Sequence, residues 1–274
     1  MIQFKKKYCD LFLIVIGISL CIYPCLRNLY EFYLHQKIMR EYRVEIKHEN
    51  KVDLDFELEK AREYNTRLFN QEASFIESQQ DIMNYESLLN INHNGIMAEL
   101  VIPKISVDLP VYHGTDEVVL TKGIGHVEKS SLPVGGKHTR CLLTGHRGLP
   151  SSMLFTRLDE LKIGDTFYIQ ALHHKIWYQI CDIKTILPEE TEELKIIENK
   201  DLVSLITCTP YGINTHRLVV TGNRIYPKNE NVTKQKPTLP SLRECVFFCL
   251  PFILIIVFGC HLKKRKDRRV FHDH

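Results

Sequence analysis

Cysteine is scarce where a scaffold would need it. Nine cysteines occur in 274 residues, but only Cys141, Cys181 and Cys208 fall between residues 27 and 240, and no pair has C-x-x-C spacing. An odd number without paired spacing excludes a disulfide framework and a structural zinc site. Glycine and proline are missing between Leu26 and Ile91, which excludes a flexible linker there. Internal repeats are absent. Basic excess is lacking in the middle of the chain: three of the 36 Lys and Arg precede residue 27, seven follow residue 240, and four of the 33 Asp and Glu lie outside that segment. Residues 27–240 therefore carry about −3, while the whole chain carries +3. The positive balance flanks two apolar runs, which argues against a nucleic-acid partner.

The first run, LFLIVIGISLCIYPCL at residues 11–26, follows Lys5, Lys6 and Lys7; the second, CVFFCLPFILIIVFGCHL at residues 245–262, precedes KKRKDRR. At 18 residues the second reaches the length of a membrane-spanning helix. The first, at 16, falls between a short span and a signal-peptide core, and no A-x-A pattern follows it, which favours a retained anchor over a cleaved leader. Lys and Arg near span ends stay cytoplasmic. The expected topology is two spans in a lipid bilayer, both termini cytoplasmic, and residues 27–240 outside.

Between the runs the texture changes once. Residues 27–90 read as helical and polar, with Leu54, Leu58, Ala61 and Leu68 at helical spacing; a stalk, an arm or a cover would each fit. From Gly95 onward short strands alternate with turns: AELVIPKISVDLPVY, HTRCLLTG, the hairpin candidate TFYIQAL with KIWYQICDIKTIL, LVSLITC and HRLVVTG. That pattern indicates an all-β sandwich or closed barrel over residues 91–226. SMLFTRLDEL is expected to form a short helix. Residues 227–244 read as a polar, proline-bearing tether, 245–262 as the second span and 263–274 as a basic tail.

Cys141 and Cys181 sit inside strand-like runs, as small buried hydrophobes do. Cys208 instead closes the apolar run LVSLITC, where a strand gives way to the TPYGIN loop. If the next strand starts near Thr215 and pairs with the first, Arg217 comes close to Cys208. A cation there can hold a thiolate, an oxyanion or a carbonyl oxygen. Among the histidines, His216 points to the opposite face by alternation, and His173 and His174 occupy a turn. His146 ends the strand CLLTG and repeats the strand-end position of Cys208, making it the best acid/base. Spacing alone leaves open a buried cysteine beside an incidental histidine and arginine.

Two blocks, LLTGHRGLPSSMLFTRLDELKIGDTFYI and LVSLITCTPYGINTHRLVVTGNRI, resemble the signature blocks of sortases, specifically the class C, pilin-polymerising group. MAELVIPKISVDLPVYHGTDEVVLTKGIGHVEKSSLPVGG is similar to that family's N-terminal half. The resemblance implies a closed eight-stranded β-barrel with His146, Cys208 and Arg217 as the catalytic set, and Thr207 and Leu205 as substrate-binding positions. It implies a cysteine transpeptidase that cleaves an LPXTG-like sorting signal at Thr–Gly and joins the acyl product to a pilin lysine, with no metal or organic cofactor. A hydrolase, a cell-wall-anchoring sortase using the same residues or a non-catalytic surface component remain alternatives. Two positions depart from the family pattern. Ser204 replaces the usual threonine four residues before the cysteine. Ala73-Ser74-Phe75 replaces the Asp-Pro-aromatic lid motif. Phe75 is the expected lid residue, with Glu72 or Glu77 as substitutes for its acidic anchor.

Overall fold

The computed structural model describes residues 2–70, 85–148, 154–227, 249–250 and 252–259; for residues 2–26 it fixes the helical backbone and part of the side chains. The chain divides into two compact units, Met1–Glu31 with Leu239–His274, and Phe32–Thr238.

Helix α1 (Ile2–His48) begins in the first unit and includes the first apolar run, with Pro24 inside it. Phe12, Val15, Leu20, Tyr23 and Leu26 are exposed along it, as are Phe252, Ile253 and Ile256 in the helical residues 252–259. Among the described residues no helix is long and apolar enough to cross a membrane, so the two expected spans find no support there. Residues 245–248, 251 and 260–262 of the second run lie outside the described residues.

In the second unit, Lys47 and His48 close α1 where the helix dipole favours cations. Asn50 then accepts the Val52 N–H at 3.1 Å, satisfying one of the free donors at the start of helix α2 (Lys51–Asn70). Helix α2 buries the expected stripe of Leu54, Leu58, Ala61 and Leu68, and Asn65 with it. The Asn65 amide pairs both backbone groups of Leu132, at 3.1 and 2.7 Å, which is why a polar residue is tolerated in that stripe. Met39, Tyr42 and Ile46 of α1 share the barrel core. Beside them Arg43 donates to Glu99 at 3.0 Å and Asp108 at 2.9 Å, and the Tyr42 hydroxyl accepts the Leu172 N–H at 3.0 Å. Glu99 is 1% exposed, so removing Arg43 would leave a buried carboxylate without its cation and destabilise the fold. Of the three forms open to the helical segment, its described residues take the cover, packed on the barrel.

Eight strands close the barrel: β1 (Ile96–Ile102), β2 (Val107–His113), β3 (Ile124–His126), β4 (Thr139–Thr144), β5 (Thr166–Ala171), β6 (His174–Ile186), β7 (Asp201–Thr209) and β8 (His216–Ile225). Their spatial order is β1-β2-β3-β4-β7-β8-β6-β5. β2 with β3 and β4 with β7 run parallel, and the other neighbours antiparallel. A short helix, α3 (Glu117–Lys122), capped by the Asp116 side chain, links β2 to β3.

Alternation along β7 sorts its residues into two populations. Val203 and Leu205 join Leu143, Leu218 and Val220 in the barrel core. Ile206 points the other way and packs with Ile186, Val219, Leu142 and Leu194 outside the barrel. The second cluster explains why β7 reads as apolar without a break: both its faces are covered. The helix expected over SMLFTRLDEL is instead, in its described part, a turn followed by a 3-10 helix at Leu158–Glu160. Tight turns bury Leu154, Phe155, Leu158 and Leu161, while the Phe155 N–H is held by the His146 carbonyl at 3.1 Å.

Candidate active site

The ladders bring three of the candidate residues to one level. The parallel β4–β7 pairing ends at Thr144↔Ile206, and His146 and Cys208 each lie two residues beyond it. In the antiparallel β7–β8 pairing Cys208 stands opposite Arg217. Because Val203, Leu205, Leu218 and Val220 point into the barrel, alternation turns Cys208 and Arg217 outward, onto the face that carries Ile206 and Val219. Cys208 and Arg217 are half-buried, so a rigid strand end presents the thiol to the surface.

Gly145 is what lets the chain leave β4 at this point. A Cβ there would lie 2.7 Å from Ile124 Cδ1 and 3.0 Å from the Phe155 ring. Its N–H donates to the Ile206 carbonyl at 3.1 Å, and its carbonyl accepts the Thr207 hydroxyl at 2.7 Å. His146 therefore leaves a residue clamped from both sides to β7. Its Nε2 is buried with no hydrogen-bond partner among the described residues, 4.0 Å from the Glu117 carboxylate.

Arg217 Nη1 donates to the carbonyls of Asn214 and His216, at 3.2 and 3.1 Å, so one edge of the guanidinium closes the β7–β8 turn. Such a fork beside a thiol is suited to holding the oxygen of an acyl group that the thiol attacks. The other histidines lie elsewhere. His216 Nδ1 is 2.9 Å from Thr215 Oγ1, and His173 pairs with Asp55 of α2 at 3.0 Å.

Thr207 and Leu205 are not placed to touch substrate. Leu205 is 0% exposed in the core, and Thr207 is 1% exposed, its hydroxyl committed to Gly145. Odd-numbered residues of β7 face inward, and both belong to that set. Cys181 also departs from expectation. The register shifts between Ile180 and Asp182, and this bulge turns Cys181 out to an exposed position, its thiol donating to the Thr221 carbonyl at 3.4 Å. Cys141 is buried as expected, and burial pushes its thiol well above the ordinary range. The lid candidates Phe75, Glu72 and Glu77 lie outside the described residues.

Two arginines escaped the sequence reading. Arg140 is buried, with Nε donating to Ser204 Oγ at 3.0 Å and Nη1 to the carbonyls of Glu193 and Lys195 at 2.8 and 3.1 Å. It fastens the β6–β7 connection over the outer cluster, and it uses the hydroxyl of Ser204, the residue that replaces the usual threonine. Arg147, next to His146, donates to Thr209, next to Cys208, at 3.1 Å. The signal for both was an arginine inside or abutting an apolar strand, a place where an unpaired charge is not tolerated.

Residues 100–225 match the family model described as the sortase domain. Sortase A of Listeria monocytogenes is 26% identical over 233 residues, covering 84% of this chain and 95% of the relative. Sortase C1 from Streptococcus agalactiae superposes with a TM-score of 0.67 at 42% identity, covering 70% of this chain and 100% of that one. Sortase C of Clostridium perfringens, solved with the C-terminal cell wall sorting motif, gives a TM-score of 0.62 at 39% identity, covering 70% of this chain and 99% of that one. A closed eight-stranded barrel and these likenesses agree: the chain belongs to the sortase family of cysteine transpeptidases, on the side of the class C enzymes.

Proposed function

We propose that the chain is a pilin-joining transpeptidase in which Cys208, His146 and Arg217 act together. The observation that carries this reading is their common level at the ends of three adjacent strands, with His146 just past β4, Cys208 on β7 and Arg217 on β8, the last two on the outer face. Cys208 gives its thiol proton to His146 as its sulfur attacks the threonine carbonyl of an LPXTG-like sorting signal, and Arg217 donates to the oxygen that becomes negative. The Thr–Gly C–N bond breaks as His146 passes a proton to the departing glycine amine, leaving a thioacyl enzyme. A lysine amine of a pilin subunit then attacks the thioester, His146 takes its proton and passes it to the departing sulfur, and the C–S bond breaks as an isopeptide bond forms. The Clostridium perfringens relative solved with a sorting motif supports this substrate class. None of these steps calls on a metal or organic cofactor.

Location at the membrane belongs to the same proposal. Uncharged runs at residues 11–26 and 245–262, each flanked by lysine or arginine on its outer end, suit two spans with the barrel outside. Anchoring would hold the enzyme where substrates emerge, raising their effective concentration. The full-length chain incubated with an LPXTG peptide and a lysine-bearing pilin should yield an amide product whose formation rises with pilin concentration. Release of the free acid at a rate indifferent to pilin would identify a hydrolase and overturn the joining reaction.

A further inference from the structure

Arg147 lies between the two halves of this site and belongs to neither. Its side chain is 5% exposed. Nη1 donates to Thr209 Oγ1 at 3.1 Å, Nη2 pairs with Asp159, and the guanidinium carbon sits 6.0 Å from the Tyr211 ring centroid. Thr209 and Tyr211 follow Cys208, whereas Arg147 follows His146. The next residue comes close across the same gap. Gly148 has φ +79°, and a Cβ on it would lie 2.8 Å from the Tyr211 ring. Arg147 thus fastens the β4–β5 connection to the end of β7, immediately beside His146 and Cys208, and Gly148 runs close to the Tyr211 ring.

Stability is a poor reason to bury such a group. A buried ion pair seldom outperforms apolar residues of the same volume, and here Asp159 is 43% exposed while Nε has no hydrogen-bond partner among the described residues. Geometry is a better reason. A nucleophile at a strand end and an acid/base on a separate connection need a fixed separation, and a displacement of about 1 Å can cost about 10²-fold in rate.

We propose that Arg147 is a positioning residue that sets the distance between His146 and Cys208 through Thr209 and Tyr211. The proposal rests on the reading of His146 and Cys208 as the working pair, and the experiment separates the two. Full-length Arg147→Met, Arg147→Lys and Thr209→Val are assayed with a sorting-signal peptide, each rate divided by the reactive Cys208 thiol titrated in the same sample. Arg147→Met should lower kcat by about 10²-fold with KM changed by less than about threefold, because substrate binding is left in place. It should also displace the pH profile of Cys208 alkylation, a readout that loss of folded protein alone does not move. Thr209→Val removes only the acceptor and should lower kcat by about tenfold, the size of one hydrogen bond to a charged group. Arg147→Lys keeps the charge opposite Asp159 but cannot fork to both partners, and should restore only part of the rate.

If Arg147→Met fails to fold, Thr209→Val decides alone. Wild-type kcat per reactive thiol in Arg147→Met, or in Thr209→Val where that variant decides, overturns the positioning role. His146→Ala and Cys208→Ala serve as controls in the same assay. Turnover by either overturns the site reading itself, whereas silent controls beside a fully active Arg147→Met overturn only the role of Arg147.

Discussion

Inside the barrel, Val203 and Leu205 of β7 pack against Leu143 and Val220, and Thr207 spends its hydroxyl on Gly145. On the outer face of the same strand, Ile206 and Cys208 alternate with them, above a small apolar cluster and opposite Arg217. The inner set has no access to solvent and can only hold the strand straight. The outer set has one buried residue as a base and one half-exposed thiol at the rim. A rigid strand with a reactive end needs both, because the thiol is only as well placed as the backbone that carries it. The cysteines repeat the contrast: Cys141, inward on β4, is sealed in, while Cys208, outward on β7, is reachable.

The sharpest way to break this division is to remove each thiol in turn. Cys208→Ala should abolish peptide cleavage and leave the thermal midpoint nearly unchanged, whereas Cys141→Ala should cost packing and retain turnover. Turnover assays with thermal melts on both variants check this, and an active Cys208→Ala protein would erase the distinction between the faces. Next in size, Leu205→Ala should destabilise the fold by about 2–5 kcal/mol, as cavity-forming changes in cores do, measured by denaturant unfolding. Its kcat per folded molecule should stay near wild type; a specific loss of kcat would mean that Leu205 acts on substrate after all.

Arg217→Lys, on the outer face, should do the reverse. It retains the charge but loses the planar fork, so we expect a fall of about 10²-fold in kcat with little change in stability. Near-normal turnover would reduce Arg217 to a point charge.

The smallest effect belongs to a histidine of the interior. His126 is 0% exposed, with Nδ1 2.8 Å from the Tyr85 hydroxyl and Nε2 2.9 Å from the Ser131 carbonyl. Burial pushes its pKa down from 6.5 to about 4. The unfolded chain therefore binds a proton that the folded chain refuses. The contribution of His126 is fully present above pH 6.5 and is lost as pH falls toward 4, by about 2 kcal/mol at pH 5. Unfolding free energies from denaturant titrations at pH 7 and pH 5 should differ by that amount more in the wild-type chain than in His126→Gln. Equal shifts would mean that the imidazole is charged inside the fold.

Much of this was legible in the sequence, and what was not has identifiable causes. The strands of the second half announce themselves by alternation bounded with turns, and the stripe of Leu54, Leu58, Ala61 and Leu68 gave α2 its buried face. The pairing of Cys208 with Arg217 follows from a short connection between two apolar runs. Alternation also held the answer for Leu205 and Thr207, since residues one and three before an outward cysteine must point inward. The exposure of Cys181 was not legible, because a bulge shifts register without altering the apolar pattern around it. Nor was the docking of α1 legible: Arg43 meets Glu99 and Asp108 across 56 and 65 residues of sequence, and no local signal encodes such a pairing. Arg140 and Arg147 were visible as charges in apolar surroundings, but their partners depended on which strands became neighbours.

The central claim is that the outward thiol at the end of β7 forms a covalent bond to the acyl half of a sorting signal. Full-length protein mixed with an LPXTG peptide, quenched in acid before an acceptor amine is added and digested, can be read by mass spectrometry. The account predicts an acyl adduct on the peptide that carries Cys208, removed by hydroxylamine and absent from the peptides that carry Cys141 and Cys181. An adduct on another residue, or cleavage of the signal without an adduct on Cys208 at any quench time, would contradict it.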